Sequence, residues 1–404
     1  MSPSHKTSRA PRSLHIALAL LRYFPHGGLQ RIAYDTAEAL LRRGHRVTLF
    51  VREWEGPMPA SDAGQPTLNV EVLTVPGVSN HARAARFGRA LQERLSRAGA
   101  DVVLGFDRLP GLDLHFCADP CFRARLRRDR GALHRWTPRA RTFLAMERGV
   151  FGPESETHIL LMNGAEQAVI QSEYGTPSAR FTALPPGYSA TRRRDGRARE
   201  LRAAVRAELG LGGAGGPGEK QEALEAGEEA FLLLALGSDF HRKGFDRAVA
   251  ALPDLRAALP GRRVVLVVAG SGDPARLRRQ AKELGVSDLL HCLGARDDVP
   301  ALLQAADVLV HPCRSEPAGM VLLEALSAGT PVVVSACAGY AHHVSAAKAG
   351  VVLGEPFQPA ELTHALHELG AAPLEPIRQR ALAYMETRDP DAMVDAVIRE
   401  VERA

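Results

Sequence analysis

Short apolar runs rich in β-branched residues alternate with longer amphipathic stretches along almost the whole chain, and few folds accommodate that rhythm. Residues 14–21 ("LHIALALL") read as a strand, and "LQRIAYDTAEALLRR" at 29–43 as a helix closed by Gly44. "HRVTLFV" and "LNVEVLTV" read as strands, 82–98 as a helix and "DVVLGF" as a strand; "THILLM", a helix at 163–172 and "RFTALPP" follow. The same rhythm then restarts with "FLLLALG", a helix from 243, "RVVLVVAG", a helix at 274–284, "DLLHCLG", "ADVLVHP", a helix at 318–328, "PVVVSA" and "GVVLG". Strands this uniformly apolar are buried on both faces, which requires helices above and below a parallel sheet. The chain is therefore α/β: two successive doubly wound, Rossmann-like domains facing across a cleft, joined near "LPPGYS".

The expected layout is a basic tail at 1–13, a first domain at 14–185, a second at 186–375, and a helical segment at 376–404 that returns to the first domain. Residues 210–230, "GLGGAGGPGEKQEALEAGEEA", are Gly-rich and then acidic, without a core pattern, and read as a flexible surface insertion. With 404 residues the chain has ample length for two cores. No apolar run approaches the ~18–20 residues that span a bilayer. "LHIALALL" lacks a small-residue cleavage pattern behind it and reads as the first strand, not a signal peptide. Five cysteines without a CxxC pair point to a reduced, cytoplasmic protein without structural zinc or disulfides.

The formal net charge is +5, and its distribution matters more than its size. Between Phe122 and Arg148 stand nine arginines against Asp129 and Glu147, interleaved with Phe122, Leu126, Leu133, Trp136, Phe143 and Leu144. Arg123, Arg125, Arg127, Arg128 and Trp136 suit an anionic membrane surface, where each basic residue contributes about 1 kcal/mol. Nucleic acid and a plain solvated face are the competing readings of such a stretch.

Open parallel sheets bind ligands at loops beyond the carboxyl ends of their strands. In "YFPHGGLQR", Gly27 and Gly28 let backbone amides approach an anion or sugar at a helix start. The dinucleotide pattern GxGxxG is absent, which argues against a nicotinamide oxidoreductase. In "LGSDFHRKGFDR", Arg242 and Lys243 sit where strand turns into helix, placed for a diphosphate. In "RSEPAGMVLLEAL", Glu316 and Glu324 flank a helix start at which Ala318, Gly319 and Met320 offer free N–H groups to a phosphate. Were residues 316–324 all helical, the two carboxylates would lie roughly 12 Å apart along the axis, matching the span from a sugar across a diphosphate to a ribose. Arg296, in "LGARDDV", lies at a neighbouring strand end and is placed to shelter a base.

In this order the blocks "RYFPHGGLQR", "GFDRLPGLDLHFCADPCF", "ALPPG", "GSDFHRKGFDR" and "HPCRSEPAGMVLLEALSAGTPVVVSACAGYAHH" resemble the retaining GT-B glycosyltransferases with a Glu, seven residues, Glu motif. Within that family the resemblance is greatest to transferases of the lipopolysaccharide core. It implies metal-independent transfer of glucose from UDP-glucose to a lipid-linked inner-core heptose, at the cytoplasmic face of the inner membrane, with no further cofactor and no nucleic-acid partner. It further implies that Glu316 holds sugar hydroxyls and Glu324 the ribose, that Arg242, Lys243 and the amides at 318–320 meet the diphosphate, and that Gly27 and Gly28 close over the donor. Any covalent intermediate would need a carboxylate beneath the sugar, for which Asp119 in "CADP" is the candidate. Asp107 and His115 stand where the family pattern leads one to expect Asn and Tyr. Two alternatives remain: a related transferase with another UDP-sugar or acceptor, and a non-catalytic membrane-binding module, which would have no use for the paired glutamates.

Overall fold

The computed structural model describes residues 13–25, 27–59, 67–129, 135–188, 194, 196–211 and 230–404. The expected basic tail up to residue 12, and residues 212–229 of the expected insertion, lie outside the described residues. The chain forms two compact units, Met1–Pro185 with Met393–Ala404, and Pro186–Ala392.

The first unit is built on strands β1 (His15–Tyr23), β2 (Arg46–Trp54), β3 (Asn69–Val72), β4 (Val102–Gly105), β5 (Leu114–Cys117), β6 (His158–Leu161) and β7 (Phe181–Ala183). They lie in the order β3-β2-β1-β4-β5-β6-β7, every neighbouring pair parallel. Residues 15–20 of β1 are buried throughout, as a strand covered on both faces requires. The helix Gly28–Arg42 buries Ile32, Ala33, Thr36, Ala37, Leu40 and Leu41, the 3–4 spacing of a helix with one face in the core. Strand β5 escaped the sequence reading because its four residues include His115 at a core position and follow a turn rich in Gly, Pro and Asp. The terminal helix Ala392–Val401 is pinned to this unit by charge: Arg43 pairs with Glu402 and Asp395, both at 3.1 Å, and His45 Nε2 lies 3.2 Å from Glu402.

The second unit carries β8 (Phe231–Leu236), β9 (Val264–Ala269), β10 (Leu290–Gly294), β11 (Val308–His311), β12 (Val332–Ser335) and β13 (Gly350–Leu353), in the order β10-β9-β8-β11-β12-β13 and again all parallel. The helix Glu375–Glu386 belongs to this unit, where Arg378 reaches the Ala306 carbonyl at 2.9 Å. The segment held by the first unit thus starts at Met393, later than residue 376.

Both sheets share a consequence for function. The direction of winding reverses between β1 and β4 in the first unit and between β8 and β11 in the second. At such a switch point the loops leaving two adjacent strands diverge, and the carboxyl-end crevice they leave is where open α/β sheets bind ligands. Among the described residues, no helix is long and apolar enough to cross a membrane.

Candidate active site

At the switch point of the second unit, β8 and β11 each send out one loop, and the two loops are packed backbone against backbone. Gly244, at φ +73°, ends the β8 loop; a Cβ there would stand 1.9 Å from the Pro312 carbonyl oxygen of the β11 loop. No larger residue fits that approach. Gly237, at φ +139°, plays a second part: a Cβ on it would lie 2.4 Å from Cε of Lys243. Its missing side chain is the channel through which the lysine passes.

The loops are also held by charge. Arg314 forms two 2.7 Å bonds to the Asp246 carboxylate, and its backbone N–H donates to the Arg242 carbonyl at 2.8 Å. Arg247 donates to the carbonyls of Pro312 and Cys313 at 3.0 and 3.1 Å. On the far side Glu316 bridges in parallel to Ala338, and Gly339 N–H donates to the Glu316 carbonyl at 3.0 Å. Such pairing on both flanks leaves Glu316 little freedom.

What this rigidity positions is a charge cluster on a single oxygen. Glu316 Oε2 accepts from Lys243 Nζ at 2.7 Å, lies 3.2 Å from Arg242 Nη1 and 3.4 Å from His311 Nε2. Arg242 is braced further by the Ser315 carbonyl at 2.8 Å and by Asp239 at 3.3 Å. Burial alone would raise the Glu316 carboxyl; His311, Lys243 and Arg242 outweigh it and hold the acid well below the usual range. Burial lowers the pKa of His311, which is fully enclosed at the end of β11, so its ring is neutral near physiological pH. Glu316 and Asp239 together balance the two cations, so Lys243 and Arg242 stand as a charge-compensated pair beside a helix start.

That helix spans Met320–Ser327, with Gly319 at φ +92° as its N-cap and no side-chain cap. The first N–H groups of such a helix have no intrahelical acceptor. Leu322, Leu323, Ala325, Leu326 and Ser327 are buried, while Met320, Val321 and Glu324 are half-buried and form its more open side. The expected 12 Å axial spacing of Glu316 and Glu324 does not hold, because Glu316 lies in the bridged loop before the helix, not on it. Ala318 is buried, and its carbonyl accepts from Tyr340 N–H at 2.7 Å. Arg296 is not gathered with this cluster. Its guanidinium is shared between Glu208, at 2.7 and 3.0 Å, and Asp298, at 2.8 and 2.7 Å. Sequence reasoning missed His311, Gly237 and the Arg314–Asp246 clamp; "VHP" at the end of an apolar strand was the available signal for the first.

In the first unit, Gly27 is the N-cap of the helix Gly28–Arg42, and a Cβ on it would clash with Gln30 Oε1 at 1.8 Å and Phe24 Cε2 at 2.8 Å. A larger residue at 27 would displace the Gln30 side chain and crowd the Phe24 ring; Gly28 is exposed in the first turn. Asp119 is exposed in the turn after β5, its carbonyl facing the Cys117 thiol at 3.7 Å. His115 is a buried ring with Nδ1 3.2 Å from the Gly105 carbonyl, and burial holds its pKa at about 3, so it is neutral.

Asp107, just past β4, accepts the Leu21 N–H at 2.6 Å, and burial pushes its carboxyl up to about 6. A raised carboxyl pKa means the folded state holds the proton more tightly than the unfolded chain. Stability therefore falls as pH rises from about 4 through 6 and stays reduced above it. Asp107→Asn keeps an acceptor for Leu21 and removes the charge. It is expected to stabilise the protein by about 3 kcal/mol at neutral pH and by little near pH 4. Urea unfolding at both pH values measures the difference, and equal effects would refute the assignment.

The arginine stretch forms the helices Phe122–Asp129 and Pro138–Phe151; residues 130–134 between them lie outside the described residues. The first helix is anchored by Glu147, which is fully buried. Its carboxylate accepts Phe122 N–H at 2.6 Å, Arg123 N–H at 2.9 Å and Tyr174 OH at 2.6 Å, and Arg108 stands 3.4 Å away. Arg123 turns inward to Glu173 at 3.1 Å and lies over the Tyr174 ring. Arg125, Arg127, Arg128 and Trp136 are exposed, Trp136 by 66%.

Comparison with known proteins identifies the family and the fold. The profile of glycosyl transferases group 1 matches residues 218–384, and that of glycosyltransferase family 4 matches residues 26–192. The lipopolysaccharide glucosyltransferase WaaG of Escherichia coli (strain K12) is 36% identical over 380 residues, covering 93% of this chain and 95% of that protein. The crystal structure of WaaG, a glycosyltransferase involved in lipopolysaccharide biosynthesis, matches with a TM-score of 0.86 at 33% identity, over 96% of this chain and 99% of that one. Anabaena HepE in complex with UDP-glucose matches at a TM-score of 0.70 over 97% of this chain and 100% of that one; at 15% identity it speaks for the fold alone. A relative this similar along nearly the whole length shows that the protein belongs to the glycosyl transferases group 1, with two Rossmann-like domains of the GT-B type.

Proposed function

We propose that this enzyme is a retaining glucosyltransferase that moves glucose from UDP-glucose to an inner-core heptose of lipopolysaccharide. The observation that carries the reading is the convergence of Lys243 and Arg242 on Glu316, beside the open start of the helix Met320–Ser327. Similarity to WaaG along 93% of the chain supports the choice of donor and acceptor.

Transfer breaks the bond between the anomeric carbon and a diphosphate oxygen, so negative charge grows on the leaving group. Fixed cations and peptide N–H groups aimed at that charge lower the barrier without reorganisation during the reaction, an effect of several kcal/mol. They also supply the positive charge that a divalent ion provides in other transferases, so EDTA is expected to leave turnover unchanged. Loss of activity on chelation, restored by magnesium, would contradict that part. Glu316 then serves the sugar hydroxyls, for which an ionised carboxylate is an acceptor at any pH above its depressed pKa. Retention follows if the leaving phosphate oxygen takes the acceptor proton on the face it has just left.

The test is a panel of UDP-sugars with a heptose-terminated lipid core, read by product mass and by the anomeric coupling constant. One added hexose from UDP-glucose, in the α configuration of the donor, is the expected result. Transfer from a different UDP-sugar only, or hydrolysis without transfer, would overturn it.

The lipid-linked acceptor places the reaction at a membrane surface, and the exposed Arg125, Arg127, Arg128 and Trp136 provide the contact with anionic lipid. Replacing Arg125 and Arg128 by alanine is expected to weaken binding to phosphatidylglycerol vesicles roughly 30-fold, at about 1 kcal/mol per charge. Sedimentation unchanged by both substitutions would remove the membrane assignment.

A further inference from the structure

Cys313 and Cys337 are 24 positions apart in sequence, yet their Sγ atoms lie 3.6 Å from each other. A disulfide needs about 2.05 Å, so closure requires a movement of only about 1.5 Å. Cys313 is wholly buried at the start of the loop that carries Glu316. Cys337 is exposed and precedes Ala338, the bridge partner of Glu316. The two cysteines therefore face each other across the loop that carries Glu316, and neither has a part in the proposed transfer.

The chemistry of the five cysteines differs in one useful respect. Burial pushes the thiols of Cys117, Cys121 and Cys292 up, and hydrogen bonding to Cys337 does the same for Cys313. Cys337 alone is lowered: its hydrogen bond with Cys313 outweighs burial and the neighbouring Glu355 carboxylate, which both raise it, and the Arg247 guanidinium assists. A nucleophilic thiol must be accessible, and Cys337 is the exposed member of the pair.

We propose that Cys313 and Cys337 form a peroxide-sensitive dithiol that closes reversibly to a disulfide and shifts the loop carrying Glu316. The Cys337 thiolate attacks one oxygen of hydrogen peroxide and the O–O bond breaks; the departing hydroxide takes a proton and leaves as water, and Cys337 becomes a sulfenic acid. The Cys313 sulfur then attacks Cys337 Sγ, the S–O bond breaks, and the leaving hydroxide takes the Cys313 proton as a second water. Two electrons pass from the sulfur pair to the peroxide, and a dithiol reductant reverses the change. Cys313 is tied to Arg247 through its carbonyl, and the Glu316–Ala338 bridge lies just beyond the two cysteines. Drawing the sulfurs together therefore moves the donor loop; this consequence rests on the donor-site reading above, whereas the bond itself does not.

The full-length protein is treated with hydrogen peroxide, alkylated, digested and mapped by mass, and UDP binding is measured by calorimetry before and after dithiothreitol. The expected result is a cross-link between the peptides of Cys313 and Cys337, absent in Cys337→Ser, with UDP affinity reduced several-fold and restored by the reductant. Recovery of both cysteines alkylated, or of Cys337 as sulfinic acid with Cys313 alkylated, overturns the proposal. A cross-link that leaves UDP affinity unchanged overturns the loop shift. Reduced protein that binds no UDP at all counts instead against the donor-site reading, and the mapping result is unaffected by it.

Discussion

Lys243→Ala is expected to lower glucosyl transfer at least ~10²-fold, the usual loss when one fixed electrostatic stabiliser of a transition state is removed. Lys243 threads past Gly237, where a Cβ would stand 2.4 Å from its chain, and ends 2.7 Å from Glu316 Oε2. Its side chain is 14% exposed, so the charge acts with little screening by water. Removing it leaves Arg242 as the only cation on Glu316 and, with Asp239 also beside Arg242, turns the cluster net negative, which opposes binding of the proposed diphosphate. The loss should fall mainly on kcat, since charge on the leaving group is greatest in the transition state. Arg242 and His311 still face the carboxylate in the variant, so unfolding by heat should move little. Steady-state kinetics with UDP-glucose, beside a thermal unfolding curve, decide the matter. Normal turnover in a well-folded variant would dismiss the donor site as drawn.

The second large effect concerns stability. Asp307→Ala is expected to destabilise the second unit by about 3–5 kcal/mol, because it strands buried cations. Asp307 is 2% exposed and accepts from Arg202 at 2.8 Å, Arg206 at 2.6 Å, Arg378 at 3.3 Å and the Leu232 N–H at 2.8 Å. It stands immediately before β11, so the strand that carries His311 at one end is fastened at the other by this aspartate. Burial alone would raise the carboxyl; the three arginines and the backbone N–H overcome it and hold it at about 2. Burial, with Arg202 beside it, pushes Arg378 down to about 10. The sign for Asp307 is that of a depressed acid: its stabilisation is present above the unfolded carboxyl pKa of about 3.9 and is lost as pH falls through about 2. The gap between wild type and Asp307→Ala in urea denaturation should therefore be constant at neutral pH and narrow below about pH 4. A gap that is the same at every pH would mean that packing, not charge, is what the aspartate supplies.

Strand positions were legible because buried parallel strands leave a strong mark: "FLLLAL" and "VVLVVA" have no other plausible fate in a chain of this type. The adjacent pair Arg242–Lys243 and the helix at Met320 were legible for a local reason, since glycines and a proline punctuate both loops. Glu316 was identified, but its surroundings were misjudged. A left-handed Gly319 delays the helix to Met320, and the glutamate pairs instead with Ala338, more than twenty residues away. Arg296 was assigned to a base because nothing near it in sequence reveals Glu208, which arrives from a helix 88 positions earlier. Arg123 read as a surface charge like its neighbours, yet it turns inward to Glu173 and Tyr174, fifty residues on.

The order of apolar runs, the glycines where backbones must pass closely, and the residue types at the carboxyl ends of strands are local properties, and they were enough to name the fold class and the loops that matter. Which oxygen the cations share, that His311 joins them, that Asp307 gathers three arginines and that two distant thiols come within 3.6 Å are long-range facts. They depend on which strands lie side by side, and the energy that selects those neighbours comes from burying the whole sheet, not from any short stretch of residues.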